Sequence, residues 1–381
     1  MGDRMTVGLR FKQQDAWTGG VYYVRNLVSA LGLSAPERRP RLVVIGGDAD
    51  GLRELKAATG YDDLRRVSRT RIERLPARRL PFARAPGEEI SMSLMGSAPG
   101  LEDRGVQWVP DFQEHRFPEF FDDAERASRY QRNADWFARH RHVMVSSQDV
   151  AADLARFYPQ SNARVHVVRF ASFVPPEAFD ADPVDLRARY GLPARHFICA
   201  NQLWRHKNHA VILRALALAG PAAPIVAFTG KAHDHRDPDY GSSIRALASE
   251  LGVEGKVRFL GFLPRTDQLG LMRGAIAVVQ PSLCEGWSTV VEDAKALGRH
   301  VLASDIAVHR EQLGKGAELF EPHDPRALAD LLVRYGEVDP PPLRLDYESV
   351  RRRFADDLWR MIVEVEEDFR RRRVDRLVIK S

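Results

Sequence analysis

The chain has 381 residues, of which 44% are hydrophobic and 29% charged, with a formal net charge of +5. That length predicts two or three domains and a core that needs neither metal nor disulfide staples. Two isolated cysteines, Cys199 and Cys284, exclude a disulfide framework and a paired-cysteine metal site, and fit a reducing, cytoplasmic compartment.

In chain order, the opening MGDRMTVGLRF runs straight into a strand-like segment without the apolar core of a signal peptide. Strands are expected over 5–9, 42–45, 106–109, 143–146 and 165–168. Between them, 20–31 places Val21, Val24, Leu27, Val28 and Leu31 on one helical face, and 148–157 does the same with Val150, Leu154 and Phe157. The proline- and acid-rich FVPPEAFDADP (173–183) reads as a linker. Beyond it, strands are expected over 197–200, 225–229, 257–260, 275–279, 301–303 and 317–320, with helices over 209–218, 242–251, 290–297 and 325–335. A last helix over 350–369 carries Phe354, Leu358, Ile362, Val365 and Phe369. No run of about 18 apolar residues occurs, which excludes a membrane-spanning helix.

Alternating strands and helices predict an α/β chain of two Rossmann-like, doubly wound domains, with parallel sheets covered on both faces. The expected boundaries are 1–175, 176–345 and a C-terminal helical segment, 346–381, crossing back to the first domain. Ligands of such sheets bind beyond the carboxyl ends of the strands, so the cleft between the two domains is the expected site.

Two loops carry most of the chemistry. FICANQLWRHKNH (197–209) ends a strand and starts a helix, placing Arg205 and Lys207 where helix N–H groups already favour an anion; the alternative is a solvated basic turn. QPSLCEGWSTVVEDAKALG (280–298) puts Glu285 and Gly286 in a loop before a helix that Ser288 or Thr289 could cap. Free N–H groups at Ser288, Thr289 and Val290 could receive phosphate oxygens, and Glu285 could accept sugar hydroxyls. Glu292 and Asp293 follow one turn on, and as first-turn acids they would stabilise the helix dipole. Near the N-terminus, Gly19 and Gly20 precede a helix and would let backbone approach a ligand. His233, Asp234 and His235 invite a metal reading, but no Glu-x-x-His or cysteine pair accompanies them, and no metal is expected.

These segments, with WTGGVYYVRNLVSAL, WVPDFQEHRFPEFF, VSSQDVAADL, GFLPRTDQLGLMRGA and LASDIAVHRE, run in order from about residue 5 to 335. Together the set resembles the retaining GT-B glycosyltransferases of the "group 1" or family 4 kind. The resemblance implies two domains facing each other across a cleft. It implies that Glu285 touches the transferred sugar and that Asp293, separated from Glu285 by seven residues, meets the nucleotide ribose, with Glu292 the competing acid. Lys207 matches the family's phosphate lysine. Gln202 stands at the usual arginine position, so Arg205 is expected to supply the second charge. The donor-binding set is completed by Gly19, Gly20, Asn201, Gly230, Phe262, Leu263, Gly286, Trp287, Ser288 and Thr289. Glu114 occupies the position where relatives often carry a histidine, which leaves His115 as the neighbouring catalytic candidate.

The implied reaction moves a sugar from a nucleotide diphosphate donor to a hydroxyl on a glycan or lipid-linked acceptor, with retention and without a cofactor. Turnover is expected to vanish in Lys207→Ala or Glu285→Ala while thermal unfolding stays nearly unchanged. Alternatives are a nucleotide-sugar epimerase or hydrolase, a non-catalytic nucleotide-sugar sensor, and a nucleic-acid-binding module. The last is disfavoured because no aromatics interleave the arginines. Eight arginines from Arg65 to Arg84 oppose only Glu73, more than the whole net charge. That stretch is the expected contact with an anionic membrane on its inner face, or else a solvated loop.

Overall fold

A computed structural model describes residues 5–11, 18–46, 48–67, 90–96, 101, 104–180, 182–315, 317–341 and 343–378. The chain divides into two compact units: Met1–Phe112 with Ala127–Ser172 and Glu348–Ser381, and Gln113–Arg126 with Phe173–Tyr347.

The first unit holds a parallel sheet of β1 (Thr6–Arg10), β2 (Arg41–Ile45), β3 (Leu64–Val67), β4 (Ile90–Leu94), β5 (Gly105–Trp108), β6 (His142–Val145) and β7 (Arg164–Val167), in the order β3-β2-β1-β4-β5-β6-β7. β3 and β4 were not among the expected strands. β3 hides its pattern behind Arg65 and Arg66, which suit an edge strand because charge there blocks pairing with another chain. The remaining arginines of the basic run, Arg69 to Arg84, lie outside the described residues. Gly19 and Gly20 do not form a loop before the first helix, because the helix Thr18–Leu33 already contains both in its first turn. The C-terminal helix, Tyr347–Val378, is longer than expected. Its Asp368 meets His142 of β6 (3.1 Å) and its Glu364 meets Arg164 of β7 (3.0 Å).

The second unit holds β8 (Phe197–Cys199), β9 (Val226–Thr229), β10 (Val257–Gly261), β11 (Val278–Gln280), β12 (Val301–Ser304) and β13 (Glu318–Phe320), all parallel, in the order β10-β9-β8-β11-β12-β13. Alternation along the strands fills both faces. Phe197, Cys199, Val226, Phe228, Val279 and Leu302 pack in one core layer; Ile198, Ala200, Ala227, Val278, Val301 and Ala303 pack in the other. Period-2 burial on both sides is what a helix-covered parallel sheet demands. The chain leaves β8 toward β9 on one side and later returns to lay β11 on the other. β8 and β11 therefore flank the point where strand order reverses, and ligands of open α/β sheets bind outside the carboxyl ends there. The expected linker 173–183 is partly helical, with Glu177–Asp180 a short helix and Pro183 opening the helix Pro183–Arg189. Residues 275–277 precede β11 rather than belonging to it.

Candidate functional site

Beyond β8, the backbone makes a single 3₁₀ turn, Arg205–Lys207, then enters the helix His209–Ala219 through Asn208 in the left-handed region (φ 54°). Asn208 keeps that conformation because its side-chain amide donates to the carbonyls of Pro281 (3.2 Å) and Pro322 (2.9 Å). Beyond β11, Pro281 leads into the loop that carries Glu285, and Ser288 caps the helix Thr289–Ala296 by accepting from the N–H of Val291 (3.3 Å). The two loops are tied together, since Leu283 N–H donates to the carbonyl of His206 (2.8 Å).

Lys207 and Glu285 meet at the strand-order reversal. Lys207 Nζ donates to Glu285 Oε1 at 2.5 Å, with side chains only 15% and 9% exposed. The same oxygen accepts from Ser282 Oγ (2.7 Å) and Gln280 Nε2 (2.8 Å), while Gln280 Oε1 takes the amide of Asn201 (3.0 Å). Among the described residues every hydrogen bond to this carboxylate goes to Oε1, which leaves Oε2 open to a ligand. Burial alone would raise the Glu285 carboxyl pKa. The Lys207 charge and hydrogen bond, aided by Ser282, outweigh it and hold the group below its ordinary value.

Behind Glu285 lies a second layer that the sequence reading did not single out. His309 Nδ1 donates to the Ser304 carbonyl (2.8 Å), Ser304 Oγ donates to the Ser282 carbonyl (2.5 Å), and Ser282 reaches Glu285. Burial depresses the His309 pKa despite the attraction of Glu285, so the ring is neutral. Gln280, Ser282 and Gln312 were also missed. The signal for the first two was polarity where a buried strand ends, and Gln312 stands one residue beyond the LASDIAVHRE segment.

Glu292 stands in the first turn of its helix, as expected, and both it and Asp293 are fully enclosed. Glu292 is held by Lys295 (2.7 Å), Gln312 (3.0 Å) and Tyr347 (2.7 Å), which makes it a structural anchor. Asp293 pairs through Oδ1 with Arg265 and keeps Oδ2 unpartnered among the described residues. The Ser288 N–H, expected free for phosphate, is taken by Gln312 Oε1 (3.1 Å).

Gly230 is a position of close approach to the protein's own backbone. At φ 124° a Cβ would lie 2.3 Å from the Asn201 carbonyl oxygen. Gln202 accepts from Lys231 N–H (2.9 Å) and so locks the β8 and β9 loops together. Phe262 is exposed beside the Lys231 ammonium, Leu263 is in the core, Gly286 and Trp287 are buried next to Glu285, and Thr289 is half-buried. Arg205 shares the turn with Lys207, and its guanidinium lies 5.1 Å from the Phe120 ring centre. His115 is half-buried on the short helix Gln113–Arg116, and burial lowers its pKa. Asp234, read in sequence with two histidines as a metal possibility, is buried and held at both oxygens by Arg236. No cluster of three potential metal ligands occurs among the described residues.

Comparison with known proteins places this geometry. The family model described as "Glycosyl transferases group 1" matches residues 190–348. The chain is 28% identical over 222 residues to "D-inositol 3-phosphate glycosyltransferase" of Corynebacterium glutamicum, covering 55% of this chain and 52% of that protein. It is 23% identical over 189 residues to "O-antigen chain mannosyltransferase RfbU" of Salmonella typhimurium, 50% of this chain and 49% of that protein. The matches thus span about half the length of these curated relatives. Among solved structures, a glycosyltransferase from Rickettsia africae superposes with TM-score 0.60 at 14% identity, covering all of both chains. Anabaena Alr3699/HepE in complex with UDP and glucose gives 0.59 at 15%, covering 98% of this chain and 100% of that one. Residues 190–348 are thus similar to the group 1 glycosyl transferases, and the chain shares the GT-B fold of these solved structures.

Proposed function

We propose that the protein transfers a sugar from a nucleotide diphosphate donor to a hydroxyl acceptor, with retention at the anomeric carbon. The observation that carries this reading is the buried Lys207–Glu285 pair at the carboxyl edge of β8 and β11, inside the segment that matches the family. Transfer needs charge on the departing diphosphate to be met by groups already in place. Lys207 supplies a cation that Glu285 holds in position, and the bound phosphate would draw the ammonium toward itself. Glu285 Oε2 faces the sugar as a hydroxyl acceptor. Retention follows from front-face attack, in which the acceptor oxygen forms its bond on the side from which the diphosphate leaves, and a phosphate oxygen takes the acceptor's proton.

The relatives' names and the UDP and glucose of the Anabaena complex support a nucleotide-sugar donor. The acceptor is proposed to be a glycan or a lipid-linked glycan precursor. A thermal-shift panel of nucleotide sugars tests the reading. The correct donor stabilises by mass action, by about 2.7 kcal/mol at a hundredfold excess over its Kd. No shift with any nucleotide sugar removes the reading, and donor consumption without an acceptor reassigns the protein as a hydrolase or epimerase.

A further inference from the structure

Within the second unit lies a cavity of about 330 Å³ that the proposed donor chemistry does not use. Its wall includes Arg205 and His206, which share the 3₁₀ turn with Lys207. A space of that size accommodates one small ligand.

The lining is polar and carries an unbalanced charge. Four carboxylates, of Glu119, Asp122, Asp234 and Asp237, face two guanidiniums, of Arg205 and Arg236. His206 is 2% exposed with Nδ1 unpartnered, and burial keeps its ring uncharged. Arg236 is fully engaged. Nε and Nη2 donate to Asp234 (3.0 and 2.9 Å), Nη1 to Gln113 (3.3 Å), and the guanidinium lies 5.1 Å from the Phe121 ring centre. That arginine and Asp234 neutralise each other. The groups left to meet a ligand are Glu119 and Asp237, which accept no hydrogen bond from the described residues, one oxygen of Asp122, and the Arg205 guanidinium.

This donor and acceptor set matches a hydroxyl group and mismatches an anion. A hydroxyl can donate to a carboxylate while accepting from a guanidinium. A phosphate or carboxylate would meet two charges of its own sign in excess. The structure assigns, we propose, an uncharged, hydroxyl-rich acceptor unit to this cavity, held by Glu119, Asp237 and Arg205, the last of these two positions before Lys207 in the same turn. The assignment of the occupant as acceptor rests on the glycosyl-transfer reading; the preference for a neutral sugar over a phosphorylated one rests on the lining alone.

Saturation-transfer NMR and titration on the full chain, without nucleotide, test it. The probes are the methyl α-glycosides of glucose, galactose and mannose, against the 6-phosphates of the same sugars. At least one neutral glycoside is expected to bind at about millimolar Kd and about tenfold more tightly than its phosphate counterpart. The double substitution Glu119→Gln and Asp237→Asn, which keeps the size of both side chains, is expected to weaken that glycoside about tenfold and bring the two probes close to parity. Equal or tighter binding of the phosphates, no binding of any neutral glycoside, or unaltered affinity in the double variant overturns the proposal. A chain that binds the glycoside yet no nucleotide sugar upholds the cavity and refutes the transfer reading, so the two failures are distinguishable.

Discussion

Replacing Lys207 by Met isolates what the ion pair does for the fold. The ammonium is 2.5 Å from Glu285 Oε1, and both side chains are largely enclosed. Removing the lysine leaves a buried carboxylate hydrogen-bonded, among the described residues, by Gln280 and Ser282 alone. An uncompensated buried charge of this kind costs about 3–5 kcal/mol. For a folding unit of this size that corresponds to a fall in Tm of roughly 6–20 °C, which replaces the expectation of nearly unchanged unfolding. Adding Glu285→Gln removes the stranded charge, so the double variant is expected to regain most of the loss. The pH dependence separates this cause from simple packing damage. In the wild type, the depressed Glu285 pKa contributes stability that is full above the ordinary carboxyl value and is lost as pH falls through the folded value. In Lys207→Met, burial acts without the opposing ammonium and the folded pKa lies above the unfolded one. That variant should then gain stability, relative to the wild type, as pH falls toward 4.5. Urea unfolding of wild type, both single variants and the double, at neutral and mildly acidic pH, gives the cycle. Additive losses, or a Lys207→Met curve parallel to the wild type at every pH, would refute the reasoning.

Two further predictions concern the frame around the site. Gly230→Ala forces a Cβ to within 2.3 Å of the Asn201 carbonyl at an unfavourable φ, so urea unfolding should show a loss of about 3 kcal/mol or more; a wild-type midpoint would mean that the β8 and β9 loops do not approach so closely. In the first unit, burial, His142 and Arg164 lower the His166 pKa to about 4, while the unfolded chain binds that proton near 6.5. The unfolded state therefore binds more protons between those values. Stability is full above the upper one and falls on acidification by on the order of 3 kcal/mol, a slope that His166→Gln should flatten.

The periodic parts of the chain were the legible ones. Helix 148–157 was read with its observed ends, because Val150, Leu154 and Phe157 repeat at helical spacing and Ser147 caps the first turn. Buried strands such as β8 and β12 showed as short apolar runs. β4 (ISMSL) did not, because its serines interrupt the apolar pattern and Ser93 is satisfied internally by the Gly96 carbonyl. The helix Asp123–Arg139 was missed because its surface is almost wholly polar and only Asn133 and Phe137 are buried. Within the site, Lys207 and Glu285 were identified separately, but their contact joins residues 78 apart and follows from strand order rather than from local pattern. The same limit explains Glu292, which the sequence shows only as a first-turn acid. Only the packed structure brings Lys295, Gln312 and Tyr347 to its carboxylate.

The most direct test of the central claim is calorimetric titration of the best-stabilising nucleotide sugar into the wild type and into the refolded-to-stability double variant Lys207→Met and Glu285→Gln. If the pair holds the donor, the wild type binds and the double variant, though folded, loses at least about a hundredfold in affinity, equivalent to roughly 2.7 kcal/mol. Equal affinity in the two proteins would contradict the placement of the donor at Lys207 and Glu285.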